Sequence, residues 1–240
     1  MSRFETTLGG AARDFPDTTM GMVSRMRDAS PDARRELLET LARRYWKPVY
    51  AFVRSAWAKT NDDAKDVTQA FFLWLFEGEL LARYESGLAS FRHYLKGLLR
   101  NFVRNSDQSL RRLKRGGGAR PIAIEDAALQ LADPAASTPD AEFDRAWGDE
   151  LVAGATEAVR KHFVVTGREA QWRAFEAYDL APGGKPTYGE VASRLGAKES
   201  DVRNWLFAVR DAIRKEVLSR MADTTSNPAT LESEWRELFG

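Results

Sequence analysis

Asp62, Asp63 and Asp66 stand within about one helical turn of each other. Paired carboxylates at that spacing suit acid–base chemistry or a divalent cation. Neither use is supported by the neighbouring residues. No histidine, glycine-rich loop or third ligand cluster lies near them, and the only histidines in the chain are His93 and His162. Cysteine is absent, so disulfides, thiolate zinc sites and cysteine nucleophiles are excluded. The chain is therefore read as a non-enzyme without cofactor or metal. The same aspartates also suit a helix N-terminus, where each offsets the helix dipole by roughly 0.3–1 kcal/mol. That reading and a docking role both remain open from spacing alone.

Charge recognition is the stronger theme. Arg92, Lys96, Arg100 and Arg104 recur every four residues, and Phe91, Leu95, Leu98 and Phe102 form an apolar stripe on the same helix. The spacing predicts the four cations on the outer face. Tyr94, Asn101 and Asn105 add stacking and hydrogen-bonding groups. Basic residues interleaved with aromatic and amide groups suit single-stranded or locally melted nucleic acid, where a stacked base contributes about 1–3 kcal/mol. An ordinary solvated basic face is the alternative, and His93 is read as a plain surface or boundary residue. Net charge is only +1, yet the charges are segregated. Over residues 83–120 the cations are opposed only by Glu85 and Asp107, whereas over 125–150 Arg145 is the sole cation among acids.

A third constellation lies near the C-terminus. Thr187 and Glu190 form a capping-box pattern, and Ala192, Gly196, Val202 and Trp205 follow at helix-turn-helix spacing. Ala192 allows close approach, Gly196 makes the turn, and Val202 and Trp205 anchor the second helix. Its outward residues include Lys198, Ser200, Arg203, Asn204, Phe207, Arg210 and Arg214. Arg203 and Asn204 suit base edges, while Lys198, Arg210 and Arg214 suit phosphates. Lys198 stands where Ser or Thr usually caps, and Asp201 needs Lys198 or Arg203 as a partner. Any helical hairpin with a glycine turn is the plain alternative.

These residues must be carried by helices. Ser30-Pro31 opens a long one, with Leu37, Leu38, Leu41, Tyr45, Val49, Phe52 and Val53 at helical spacing and Pro48 kinking or dividing it. A short amphipathic piece is expected at 19–27. Asn61 or Asp62 is expected to cap the next helix, which reaches about Phe76. Within it, Ala64, Val67, Phe71 and Trp74 make a core stripe. Asp62, Asp66, Gln69 and Leu73 share another face, of a kind that docks on a partner. A loop with Ser86 and Gly87 leads to a helix over 90–113. Gly116 to Gly118 open a flexible linker containing Pro121, Pro134 and Pro139. Helices resume near Ala141 and continue to about Met221, and a short one over 231–239 ends the pattern. Strand signals are nearly absent, so the expected class is all-α, with two helical domains.

The run NDDAKDVTQAFFLWLFEGEL, then FRHYLKGLLRN, then a helix-turn-helix resembles the extracytoplasmic-function (ECF) sigma factors of bacterial RNA polymerase. YWKPVYAFVR at 45–54, RGGG after the basic helix and ESEWRELF near the end resemble a larger, glycine-linked subgroup. The resemblance covers most of the chain from about Phe15. It implies an N-terminal segment at 1–30, a sigma region 2 at 31–113, a linker at 114–142, a region 4 at 143–221 and a tail at 222–240. Asp62, Asp66, Gln69 and Leu73 would face the clamp helices of core RNA polymerase. Arg92, Lys96, Arg100, Asn101 and Arg104 would meet the minus-ten element as it opens, and the loop at 83–89 would capture a flipped base. Lys198, Ser200, Arg203, Asn204, Phe207 and Arg210 would read the minus-thirty-five element.

The expected function is a transcription initiation factor whose partners are core polymerase and promoter DNA, with an anti-sigma factor as a further possible partner. Alternatives are a stand-alone helix-turn-helix regulator and a non-initiating sigma-like interaction module. A cytoplasmic protein is expected, because no apolar run approaches the ~18 residues of a membrane span and MSRFETTLGG lacks the apolar core of a signal peptide. In the tail, Leu231, Trp235, Leu238 and Phe239 form an apolar stripe, expected to pack on region 4 or to dock on a functional surface.

Overall fold

The structure, a computed structural model, describes residues 29–57, 60–78, 80–84, 90–113, 138–225 and 227–240. The expected helix at 19–27, the glycine break at 116–118 and residues 85–89 of the expected base-capture loop lie outside the described residues. Among the described residues the chain is all-α, as its sequence predicts. The helices are α1 (Pro31–Trp57), α2 (Asn61–Glu77), α3 (Phe91–Leu113), α4 (Pro139–Val165), α5 (Glu169–Asp179), α6 (Tyr188–Leu195), α7 (Glu199–Ala222) and α8 (Pro228–Phe239). A 3₁₀ turn at Leu80–Arg83 follows α2.

Helix α1 starts as its sequence dictates. The Ser30 hydroxyl accepts from the Ala33 N–H at 3.4 Å, and Pro31 needs no donor at the first helical position. Pro48 does not divide the helix. An interior proline costs about 3 kcal/mol, but buried Tyr45, Val49, Phe52 and Val53 each return roughly 1.5–3 kcal/mol by leaving water. For α2 the cap is Thr60, not Asn61 or Asp62: its hydroxyl accepts from the Asp63 N–H at 3.3 Å. Four consecutive capping-type residues, Thr60 to Asp63, leave the boundary ambiguous by a position or two until geometry selects one.

The buried stripe of α2 is Ala64, Thr68, Phe71, Phe72 and Leu75, so it lies slightly rotated from the expected one. Val67 and Trp74 sit at its margin. Thr68 is tolerated inside because its hydroxyl donates to the Ala64 carbonyl at 2.7 Å. Ring contacts then join neighbours, with Phe71 edge-on to Phe102 of α3 at 5.4 Å and Trp46 of α1 stacked on Phe72 at 5.9 Å.

Two apolar clusters form. The first unites α1, α2 and α3 with Phe143, Trp147, Leu151 and Ala155 of α4 and Val217 and Met221 of α7. The second joins Val159 and Phe163 of α4 to α5, α6 and the first half of α7. Helices α4 and α7 thus run through both. The most extensive helix pairing is α1 on α4. Its centre is Tyr45, stacked on Trp147 at 4.7 Å and 9° and edge-on to Phe91 of α3 at 5.3 Å. Trp147→Ala should therefore cost about 3–5 kcal/mol of unfolding free energy, measured by urea denaturation.

Candidate nucleic-acid interface

The face of α2 bearing Asp62, Asp66, Gln69 and Leu73 points outward. Asp62 pairs with Lys65 at 3.3 Å, an i,i+3 contact of little energy at an exposed site. Leu73 is 53% exposed, a large apolar residue in water beside carboxylates.

Helix α3 departs from expectation. Arg92 and Lys96, expected outside, are buried, with relative exposures of 0% and 4%. The Arg92 Nε donates to Glu234 Oε2 at 2.6 Å and its Nη2 to Glu234 Oε1 at 3.0 Å, a two-pronged pair. The same guanidinium donates to Asp144 of α4 and Glu237 of α8. Lys96 Nζ donates to both oxygens of Asp144, at 3.0 and 2.9 Å. Arg100 pairs with Asp140 but stays half exposed. Asn101 and Arg104 are exposed as expected. Four-residue spacing places the cations on one face; it does not make that face a wet one. Here the facing helices supply carboxylates, and Arg92 and Lys96 are enclosed.

Sequence reasoning missed the acceptors Glu234, Glu237, Asp140 and Asp144. Their signal was the acid-rich stretch opposite the basic one, together with the glutamates spaced three apart in the tail. Ser90 also donates to Glu234 Oε1, at 2.7 Å. His93 is tied in as well, its Nδ1 2.9 Å from Glu234 and its Nε2 3.2 Å from Glu237. His93, Glu234 and Glu237 form a group of metal-ligating type. Arg92 already lies on both carboxylates and supplies the balancing charge, so the group is an ion-pair knot.

Electrostatics follow the geometry. Burial alone would raise the Glu234 carboxyl, but hydrogen bonds from His93 and Arg92 and the Arg92 charge outweigh it and hold it near about 2. For Arg92, burial opposes the charge, while Glu234 and then Asp144 more than compensate and push the guanidinium above its ordinary range. Tyr84 is pushed up to about 12 by burial first and the Glu234 charge second. Because Glu234 is depressed from 4.5, its stabilisation is complete above that pH and is lost as pH falls toward about 2. Unfolding free energy should drop across that window, and Glu234→Gln should flatten the drop in urea titrations at several pH values.

The helix-turn-helix forms as its sequence predicts. Thr187 Oγ1 accepts from the Glu190 N–H at 3.3 Å, and the Glu190 carboxylate accepts from the Thr187 N–H at 2.7 Å. Gly196 takes φ 64°, the left-handed conformation that ends α6 at low cost for glycine. Val191, Ala192, Val202, Leu206 and Val209 are buried between the helices. Trp205, expected to anchor, is only half buried, and Leu206 takes that place. At the start of α7, Asp201 accepts from the Lys198 N–H at 3.3 Å, so its partner is backbone and not a side chain.

Lys198, Ser200, Arg203, Asn204, Phe207 and Arg210 all lie on the exposed side of α7. Phe207 is 73% exposed. Arg203 lies over the Tyr188 ring at 5.3 Å and pairs with Glu199 at 3.4 Å. Arg210 is held by Asp179 through two bonds of 2.9 and 3.0 Å, and Lys185 reaches the same carboxylate at 3.2 Å. Tyr178 and Tyr188 stack at 4.9 Å between these cations. Arg214, expected at phosphates, instead lies over Trp235 of α8 at 5.6 Å. Sequence reasoning overlooked Asp179, Lys185 and the tyrosine pair, which are spread over α5, α6 and the loop between them.

No protein-family model matches the chain, and no curated protein sequence matches it. No described helix is long and apolar enough to cross a membrane.

Proposed function

We propose that the chain is a transcription initiation factor of the ECF sigma type, acting in the cytoplasm with core RNA polymerase on promoter DNA. One observation carries the reading: a capped helix-turn-helix whose second helix turns Arg203, Asn204 and Phe207 outward. Such a helix suits the major groove, with Arg203 and Asn204 at base edges and Lys198 and Arg210 at phosphates. The exposed Asp62, Asp66, Gln69 and Leu73 face supports a second partner, which a stand-alone DNA-binding regulator would not need. Asn101 and Arg104 add an exposed polar and cationic edge on α3 for the minus-ten element as it opens.

Energetics divide the work between factor and polymerase. Opening about ten base pairs costs on the order of 14 kcal/mol at ~1.4 kcal/mol per stacked step. One or two captured bases return only a few kcal/mol. This chain nucleates opening, and the polymerase supplies the remainder. Enclosure of Arg92 and Lys96 favours one alternative, a sigma-like module that binds polymerase without initiating. Run-off transcription with core enzyme separates the two.

Asp66→Arg should abolish association with core polymerase while leaving helicity and melting unchanged; retained holoenzyme overturns the α2 assignment. Arg203→Ala should cost about 1–3 kcal/mol of discrimination at one upstream base pair, read from binding to a set of promoter variants. Equal loss on every sequence makes Arg203 a phosphate contact instead.

A further inference from the structure

We infer that helix α8 is a built-in competitor for nucleic acid on the basic face of α3, an inference that rests on reading that face as a DNA surface. Glu234 and Glu237 stand three residues apart on one side of α8 and place both carboxylates on Arg92. Guanidinium groups bind carboxylate and phosphate oxygens through the same forked geometry. The tail therefore occupies donor positions that a nucleic-acid phosphate would use. His93, at the same edge of α3, is engaged by the same two glutamates.

Helix α8 is built to dock and to leave. It has 12 residues, too few for a stable isolated helix. Its hold comes from tertiary contacts: Leu231, Trp235 and Leu238 lie half buried on the first core, and the Phe239 ring lies close over Gly148 of α4. Asn227 caps its start, with its side chain accepting from the Thr230 N–H at 2.9 Å. On its outer side, exposed Glu232 pairs with Arg236. Departure of α8 removes Glu234 and Glu237 and uncovers Arg92 and His93. Asp144 and Asp140 of α4 stay on Lys96 and Arg100, and Asp144 keeps its bond to Arg92 Nη1, so the Nε and Nη2 edge of Arg92 is what the tail controls.

The test uses the whole chain and a fluorescent single-stranded oligodeoxythymidylate, with affinity read by anisotropy at several salt concentrations. Glu237 is half exposed, so Glu237→Gln leaves the buried Arg92–Glu234 pair intact. This variant should bind about fivefold more tightly at low salt. Glu232→Gln makes the same charge change on the same helix and should bind as the parent does. A chain ending at residue 225 should bind more tightly still, and its plot of log affinity against log salt should steepen by about 0.7 for each cation uncovered. Arg104→Ala reports on the DNA face itself and should weaken binding.

Equal tightening by Glu237→Gln and Glu232→Gln would overturn the proposal in favour of bulk charge. Unchanged binding by Glu237→Gln with weakening by Arg104→Ala would overturn it while leaving the DNA face standing. Unchanged binding by every variant, Arg104→Ala included, would remove the DNA face and the competitor together. If the shortened chain fails to fold, as read by circular dichroism, the paired glutamine variants decide.

Discussion

A buried guanidinium constrains much of this molecule. Removing a charge from water is costly, and only well-placed opposite charges with good hydrogen bonds repay it. Arg92 is fully enclosed and answers to Glu234, Glu237 and Asp144. Those acids come from two different helices. Helix α3 thereby fixes where the start of α4 and the whole of α8 must sit. The neighbouring Lys96–Asp144 and Arg100–Asp140 pairs extend the seam along α4. Apolar packing by Tyr45, Trp147 and Phe91 runs alongside.

Among the described residues, that seam leaves one closed face beside two open ones. The closed face is the first part of α3. The open ones are the acidic and apolar side of α2 and the outward side of α7. Among the described residues, neither open face is buried. An exposed leucine beside aspartates, and an exposed phenylalanine beside arginine and asparagine, are surfaces suited to partners of different chemistry. On α7, Asp179 holds the Nε and Nη2 edge of Arg210, so an anion arriving there must share or displace that carboxylate.

Much of the site was legible because it is local. The Thr187–Glu190 box, the Gly196 turn and the outward residues of α7 are set within a few residues of each other, so sequence suffices to place them. The outward face of α2 was legible for the same reason. The exact core stripe of α2 was not. Six consecutive large apolar residues, Phe71 to Phe76, fill every direction around a helix, and only the neighbours decide which ones turn inward. Leu206 takes the place expected of Trp205 for a similar reason: both are apolar, and the space between α6 and α7 selects one.

Arg92 marks the sharper limit. Its four-residue spacing with Lys96, Arg100 and Arg104 correctly predicted a shared face of α3. Nothing in that spacing shows what covers the face, because Glu234 lies 142 residues away in the chain. The sequence by itself determined the all-α class, the helix-turn-helix, and which residues share each helix face, since these follow from short-range periodicity and capping. Only the tertiary structure decided that the basic face of α3 is closed by acids from α4 and α8, since charge pairing acts across space irrespective of chain distance.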